Sequence, residues 1–196
     1  MQIKPLKPIA ATKRNTAIAL LLAGALALPN IASALLKPVP AKSSVSAVFK
    51  QMNVPVEAKF RKFDAKIDFN QAKPETSKAT VEIDTNSFDL GDKEMNLEAL
   101  KKDWFNAAQY PKASFVSSGM KSSAPGKLEV SGKLTIKGKS ANVSFPLTIK
   151  KEGALQVFEG ALPIKRLTYN IGEGEWSDTS MVADEVVIKF RVVAAQ

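Results

Sequence analysis

Val56-Glu57-Ala58-Lys59-Phe60-Arg61-Lys62-Phe63-Asp64-Ala65-Lys66-Ile67-Asp68-Phe69 changes phase in its middle. Val56, Ala58 and Phe60 occupy even positions, but the apolar face resumes on the odd Phe63, Ala65, Ile67 and Phe69. A strand alternates its side chains between two faces, so a slip of one residue would turn half of this set outward. An extra residue near Arg61-Lys62 keeps both sets inward, which predicts a β-bulge or a strong bend there. Bends of this kind curve a sheet.

The same period-two alternation runs through most of the chain. Val45, Ala47 and Phe49 face away from Ser44, Ser46 and Lys50. Leu128, Val130, Leu134 and Ile136 alternate with Glu129, Ser131, Lys133 and Thr135. Val143, Phe145, Leu147 and Ile149 follow, and Val186, Ile188, Phe190 and Val192 close the series. The pattern predicts eight strands, over 43–52, 55–69, 78–88, 112–121, 126–138, 140–151, 154–166 and 181–193. Short turn signals such as Pro125-Gly126, Gly138 and Glu152-Gly153 separate most of them and imply antiparallel neighbours. Only residues 92–105 break the rhythm. Asp92 there can cap a short helix with Leu97, Leu100 and Trp104 on one stripe. An all-β chain with one apolar face must form a two-sheet sandwich or a barrel closed on itself. The long strands and the bend at Arg61-Lys62 favour an eight-stranded antiparallel barrel with one short helix. Its interior is filled by its own side chains or holds one small ligand.

The chain has 196 residues, a formal charge of +9, no cysteine and no histidine. Disulfides, Cys/His zinc sites, lipoprotein acylation and histidine-assisted nucleophiles are therefore excluded. The first 34 residues hold four of the 28 basic residues and none of the 19 acidic ones, so residues 35–196 carry +5 of the formal +9. They run from Lys4, Lys7, Lys13 and Arg14 through an apolar stretch, Ala17–Leu28, to Ala32-Ser33-Ala34. This is the layout of a secretory signal peptide, cleaved after Ala34. Twelve helical residues span about 18 Å, short of the ~30 Å hydrocarbon core of a bilayer. Residues 35–42, with Pro38 and Pro40, read as an extended leader that pairs poorly. Residues 43–196 read as one domain, exported to the periplasm.

Candidate chemistry is sparse. Acidic residues gather at Asp84, Asp89, Asp92 and Glu94, and at Glu173, Glu175, Asp178, Asp184 and Glu185. They read as solvated loop charges, with a catalytic pair or cation site as the alternative. Asp84–Asp89 is no calcium loop, because Asp89 stands where that loop needs glycine. No enzyme activity, cofactor or metal is expected. Lys127, Lys133, Lys137, Lys139, Lys150 and Lys151 fall on one hairpin region without interleaved aromatics, which argues against nucleic acid. They read as solubility and edge protection, with transient contact to an anionic membrane surface as the alternative.

Ordered motifs add a resemblance. Ser44–Lys50, Phe60–Phe69, Val81–Phe88, Asp103–Pro111, Gly132–Gly138 and Val182–Ile188 resemble, in this order, the YceI-like family of lipid- and polyisoprenoid-binding proteins. The resemblance implies a lipocalin-like barrel with a long isoprenoid chain in its apolar lumen. Lumen residues are then Phe49, Phe60, Phe63, Ile67, Ile83, Phe115, Leu134, Ile136, Phe145, Leu147, Ile188 and Phe190. Trp104, Phe105, Tyr110 and Trp176 are mouth residues, where an amphipathic ring can face lipid and water. This chain has Gln51-Met52-Asn53 and Met95-Asn96-Leu97-Glu98-Ala99 where family members often carry histidines, so no histidine headgroup contact carries over. The expected role is a non-enzymatic periplasmic carrier of a polyisoprenoid or similar amphiphile. A self-packed barrel serving stress or protein interaction through loops 89–111 or 170–180 is the alternative.

Overall fold

A computed structural model describes Gln2 and residues 34–195. The expected signal peptide otherwise lies outside the described residues. Eleven strand segments build the fold. They are β1 (Ala34–Pro38), β2 (Ser44–Gln51), β3 (Val54–Phe60), β4 (Phe63–Phe69), β5 (Lys78–Asp84) and β6 (Phe88–Asp89). After the helix α1 (Lys93–Ala99) come β7 (Lys112–Ala124), β8 (Lys127–Ile136), β9 (Lys139–Glu152), β10 (Leu155–Lys165) and β11 (Val182–Ala195).

The expected strand 55–69 divides at Arg61-Lys62 into β3 and β4. β3 pairs with β2 and the short β6, whereas β4 pairs with β5 and β1. Ser87 holds the corner: its carbonyl accepts from Arg61 N–H at 3.0 Å and its hydroxyl accepts from Lys62 N–H at 3.0 Å. With β3/β4 counted as one bent strand, the order β4-β5-β7-β8-β9-β10-β11-β2-β3 returns to its start as a closed eight-stranded antiparallel barrel. The phase slip in the sequence is thus the corner at which the sheet turns back on itself.

Closure is incomplete where β4 leaves β11, and β1 fills that gap. Leu36 sits opposite Ile67 of β4, and Pro38 opposite Ala194 of β11. The leader is therefore a pairing strand, contrary to the expectation from its prolines. Pro38 lies at the strand's end, and the next residue supplies the donor instead, Val39 N–H to the Val193 carbonyl at 2.7 Å. Leu36 is buried in the core.

The helix also departs from its expected face. Asp92 caps it by accepting from Met95 N–H at 2.9 Å, as read from the sequence. The helix ends at Ala99, however, so Leu97 points to solvent and Trp104 lies in a later turn. The strand expected at 78–88 stops at Asp84, followed by a single 3₁₀ turn before β6.

Candidate functional site

Inward residues from every wall meet in one core, yet many keep accessible surface. Phe49, Phe60, Val81, Ile83, Phe115, Ile164, Val186, Ile188 and Phe190 face inward and pack on the core but are only partly buried. The barrel encloses a lumen of two apolar chambers, about 200 Å³ and about 140 Å³. Phe60, Phe105, Ile136 and Ile188 stand in the walls of both. Phe60, Phe88 and Phe105 form a ring cluster, with centroids 5.1–6.1 Å apart, and this cluster partitions the lumen.

The outer chamber lies at the barrel end where the β2–β3 turn, α1 and the start of β11 gather. Exposed Met95 and half-buried Trp176 stand in its wall, so the chamber reaches the surface there. Its polar side chains are Gln51, Glu98 and Arg166. Ser114 is the one polar side chain among the residues lining the inner chamber. Polarity therefore falls from the mouth inward.

Of the expected lumen residues, Phe49 lines the outer chamber, and Phe60, Ile136 and Ile188 line both. Ile67, Ile83, Phe115, Leu134, Phe145, Leu147 and Phe190 line the inner one. Phe63 does not line the lumen. It stands just past the corner opposite Ile83, packs on the core, and borders a groove with Pro40, Lys59 and Lys62 rather than either chamber. Trp104 and Trp176 do flank the outer chamber, with ring centroids 5.4 Å apart. Phe105 is buried in the partition, deeper than the mouth. Tyr110 lines neither chamber; its ring covers Gly138 in the β8–β9 turn, leaving no room for a Cβ there.

Arg166, which sequence reading missed, organises the mouth. It is 2% exposed and sits just after β10. Its guanidinium donates to the carbonyls of Ile171, Gly172, Trp176, Val182 and Ala183 at 2.7–3.2 Å and lies 5.7 Å from the Trp104 ring. Burial lowers its pKa, with Asp184 opposing that shift. Lys137 continues the outward phase of β8 in the sequence. It is buried instead, because the β8–β9 turn folds it under loop 166–181. There it donates to the Asn170 carbonyl at 2.7 Å and to Glu173 at 2.8 Å. Nothing in local alternation marks either cation: Lys137 takes its partners 33 and 36 residues further on, and Arg166 takes its own from the irregular loop that it opens.

The acidic residues serve turns, caps and ion pairs. Asp84 accepts from Asn86 N–H, Asp92 caps α1, Asp184 accepts from Leu167 N–H, and Asp89 is bound by Arg61 and Asn96. No cluster of three or more potential metal ligands occurs among the described residues. Among those residues no helix is long and apolar enough to cross a membrane.

A closed antiparallel barrel with a polar-mouthed apolar lumen defines a lipocalin-like class. Residues 37–194 match the YceI-like domain, and the chain belongs to that family. A UPF0312 protein of Pseudomonas savastanoi pv. phaseolicola is 34% identical over 98 residues, which are 50% of this chain and 51% of that protein. The aligned stretch thus spans about half the length of that relative. The crystal structure of Burkholderia cenocepacia BcnA is 53% identical, with a TM-score of 0.79 over 81% of this chain and all of that one. A polyisoprenoid-binding domain from Saccharophagus degradans, implicated in plant cell wall breakdown, shares the fold at 18% identity. Its TM-score is 0.64, over 82% of this chain and 97% of that one.

Proposed function

We propose that this protein is a non-enzymatic carrier that holds a polyisoprenoid or a similar long-chain amphiphile in its lumen. The observation that carries the reading is the two-chamber apolar interior with its polar side chains gathered at the mouth. Such a lumen replaces water along a hydrocarbon chain, at roughly 25 cal/mol per Å² buried. It also leaves a polar head beside Arg166 and Gln51. The Trp104 indole N–H is buried without an acceptor, and an oxygen of the head would supply one. The S. degradans relative supports the ligand class.

The N-terminal layout supports export to the periplasm by a cleaved signal peptide. N-terminal sequencing of the secreted protein is expected to begin at Leu35. The ligand test is organic extraction of purified protein followed by mass spectrometry, with uptake of a labelled isoprenoid as a second readout. The reading expects about one long-chain lipid per barrel. Repeated absence of lipid together with no uptake would remove it.

The Phe60–Phe88–Phe105 partition favours a second reading, a self-packed barrel acting through its loops. That reading expects no uptake even after Phe105 is truncated to alanine.

A further inference from the structure

Among the described residues, five of the seven exposed large apolar side chains gather at the mouth. They are Met52 (65% exposed), Val54 (61%), Leu97 (55%), Met95 (49%) and Met181 (45%). Strand pairing places Val54, Met52 and Met181, and the helix α1 carries Met95 and Leu97 to the same end. Gln51, in the wall of the outer chamber, lies between Val54 on β3 and Val182 on β11. Met52 N–H donates to the Met181 carbonyl at 2.8 Å. Met95 stands in the chamber wall, and Leu97 is on the same short helix.

Met52 is held at φ +49 and Asn53 at φ +65, the left-handed pair of a two-residue hairpin turn. Asn-Gly meets that requirement without strain, whereas methionine does not. An exposed methionine kept in a strained position gains little packing in return, which points to a role outside the fold. Methionine side chains are flexible and polarisable and adapt to irregular apolar surroundings. Charge at the rim is mixed: Lys50 and Lys93 are offset by Glu94 and Glu98. The lysines Lys127, Lys150 and Lys151 lie toward the opposite end of the barrel, where β8 pairs with β9 and β9 with β10.

We propose that this rim docks the barrel, mouth down, on the surface of a lipid bilayer. The inference rests on the carrier reading and adds its route: the chain passes between acyl layer and outer chamber without crossing water. A folded partner protein seated there would seal the opening, whereas fluid lipid can cover the rim and still feed the lumen. The attraction is apolar, so anionic lipid is not required.

The test is flotation of purified protein with phosphatidylcholine vesicles at low and high salt, with quenching of Trp104 and Trp176 by brominated acyl chains as a depth readout. Salt-insensitive flotation with quenching is expected, and in M52Q/L97Q/M181Q the bound fraction should fall about tenfold. Uptake of a labelled isoprenoid diluted from ethanol should persist in that variant. Met52→Asn, which suits the left-handed turn, is expected to raise Tm while lowering flotation, an opposition that a purely structural residue would not show. Wild-type uptake without flotation overturns the docking proposal and leaves the carrier reading standing. Flotation only with anionic vesicles, lost in salt, or a rim buried in a dimer of this chain, also overturns it. Failure of both flotation and uptake removes both readings.

Discussion

Gly160 and Gly132 lie in strand interiors, where glycine lacks a side chain to pack. Here aromatic rings take the space. A Cβ on Gly160 would stand 2.4 Å from the Phe190 ring, and one on Gly132 2.4 Å from Phe115 and 2.5 Å from the Val116 carbonyl. Phe190 lines the inner chamber, so Gly160→Ala, which displaces its ring, is expected to cost about 1–3 kcal/mol in urea unfolding and to reduce isoprenoid capacity. Gly132→Ala meets backbone and should be the more damaging of the two. Arg166→Met keeps much of the volume but abandons five carbonyls, and a loss of about 3–5 kcal/mol is expected. Unchanged stability would show that water serves those carbonyls equally well.

Asp89 gives the pH dependence. The Gly91 backbone N–H first, then Arg61 and Asn96, pull its pKa from 3.8 down to about 2. A depressed carboxyl stabilises the fold fully above its ordinary value and loses that contribution as pH falls through the depressed one. The stability gap between wild type and Asp89→Asn should therefore be constant above pH ~4 and shrink toward pH ~2. At this scale the inward phenylalanines were legible, because alternation places them. Arg166 and Lys137 were not, because each follows a strand end and its orientation depends on a loop that local pattern does not describe.

The corner between β3 and β4 was readable from a single phase slip, since both halves must bury an apolar face. The strand β1 was not. Two prolines argued against pairing, and only the barrel's gap between β4 and β11 gives five residues something to pair with. Leu36→Ala should accordingly cost about 2–4 kcal/mol, as a core position does, where a free leader would show no change. The stripe on α1 misled for a related reason: the helix stops at Ala99, so Leu97 and Trp104 never share a face. Phe105, in the turns beyond it, closes the partition. Phe105→Ala should join the chambers and destabilise the barrel by about 3–5 kcal/mol, yet raise uptake of long chains relative to short ones. Chain-length profiles of bound lipid would show it.

For the molecule as a whole, the eight walls and their antiparallel pairing followed from alternation and turn spacing, whereas the reading of their inward residues as a lumen came from the family resemblance; eleven of those twelve residues border the chambers. Phe63 keeps its inward phase and packs on the core, but at the corner it borders neither chamber. The lumen's division also escaped the sequence, since Phe60, Phe88 and Phe105 meet across three separated segments. The proposed carrier role requires that the interior hold a long apolar chain. The most direct measurement is the stoichiometry of labelled long-chain isoprenoid retained after gel filtration, for wild type and for Ile188→Trp, which enlarges a side chain bordering both chambers. About one chain per wild-type barrel and sharply reduced retention in the variant are expected. No retention by wild type, or equal retention by both, would contradict it.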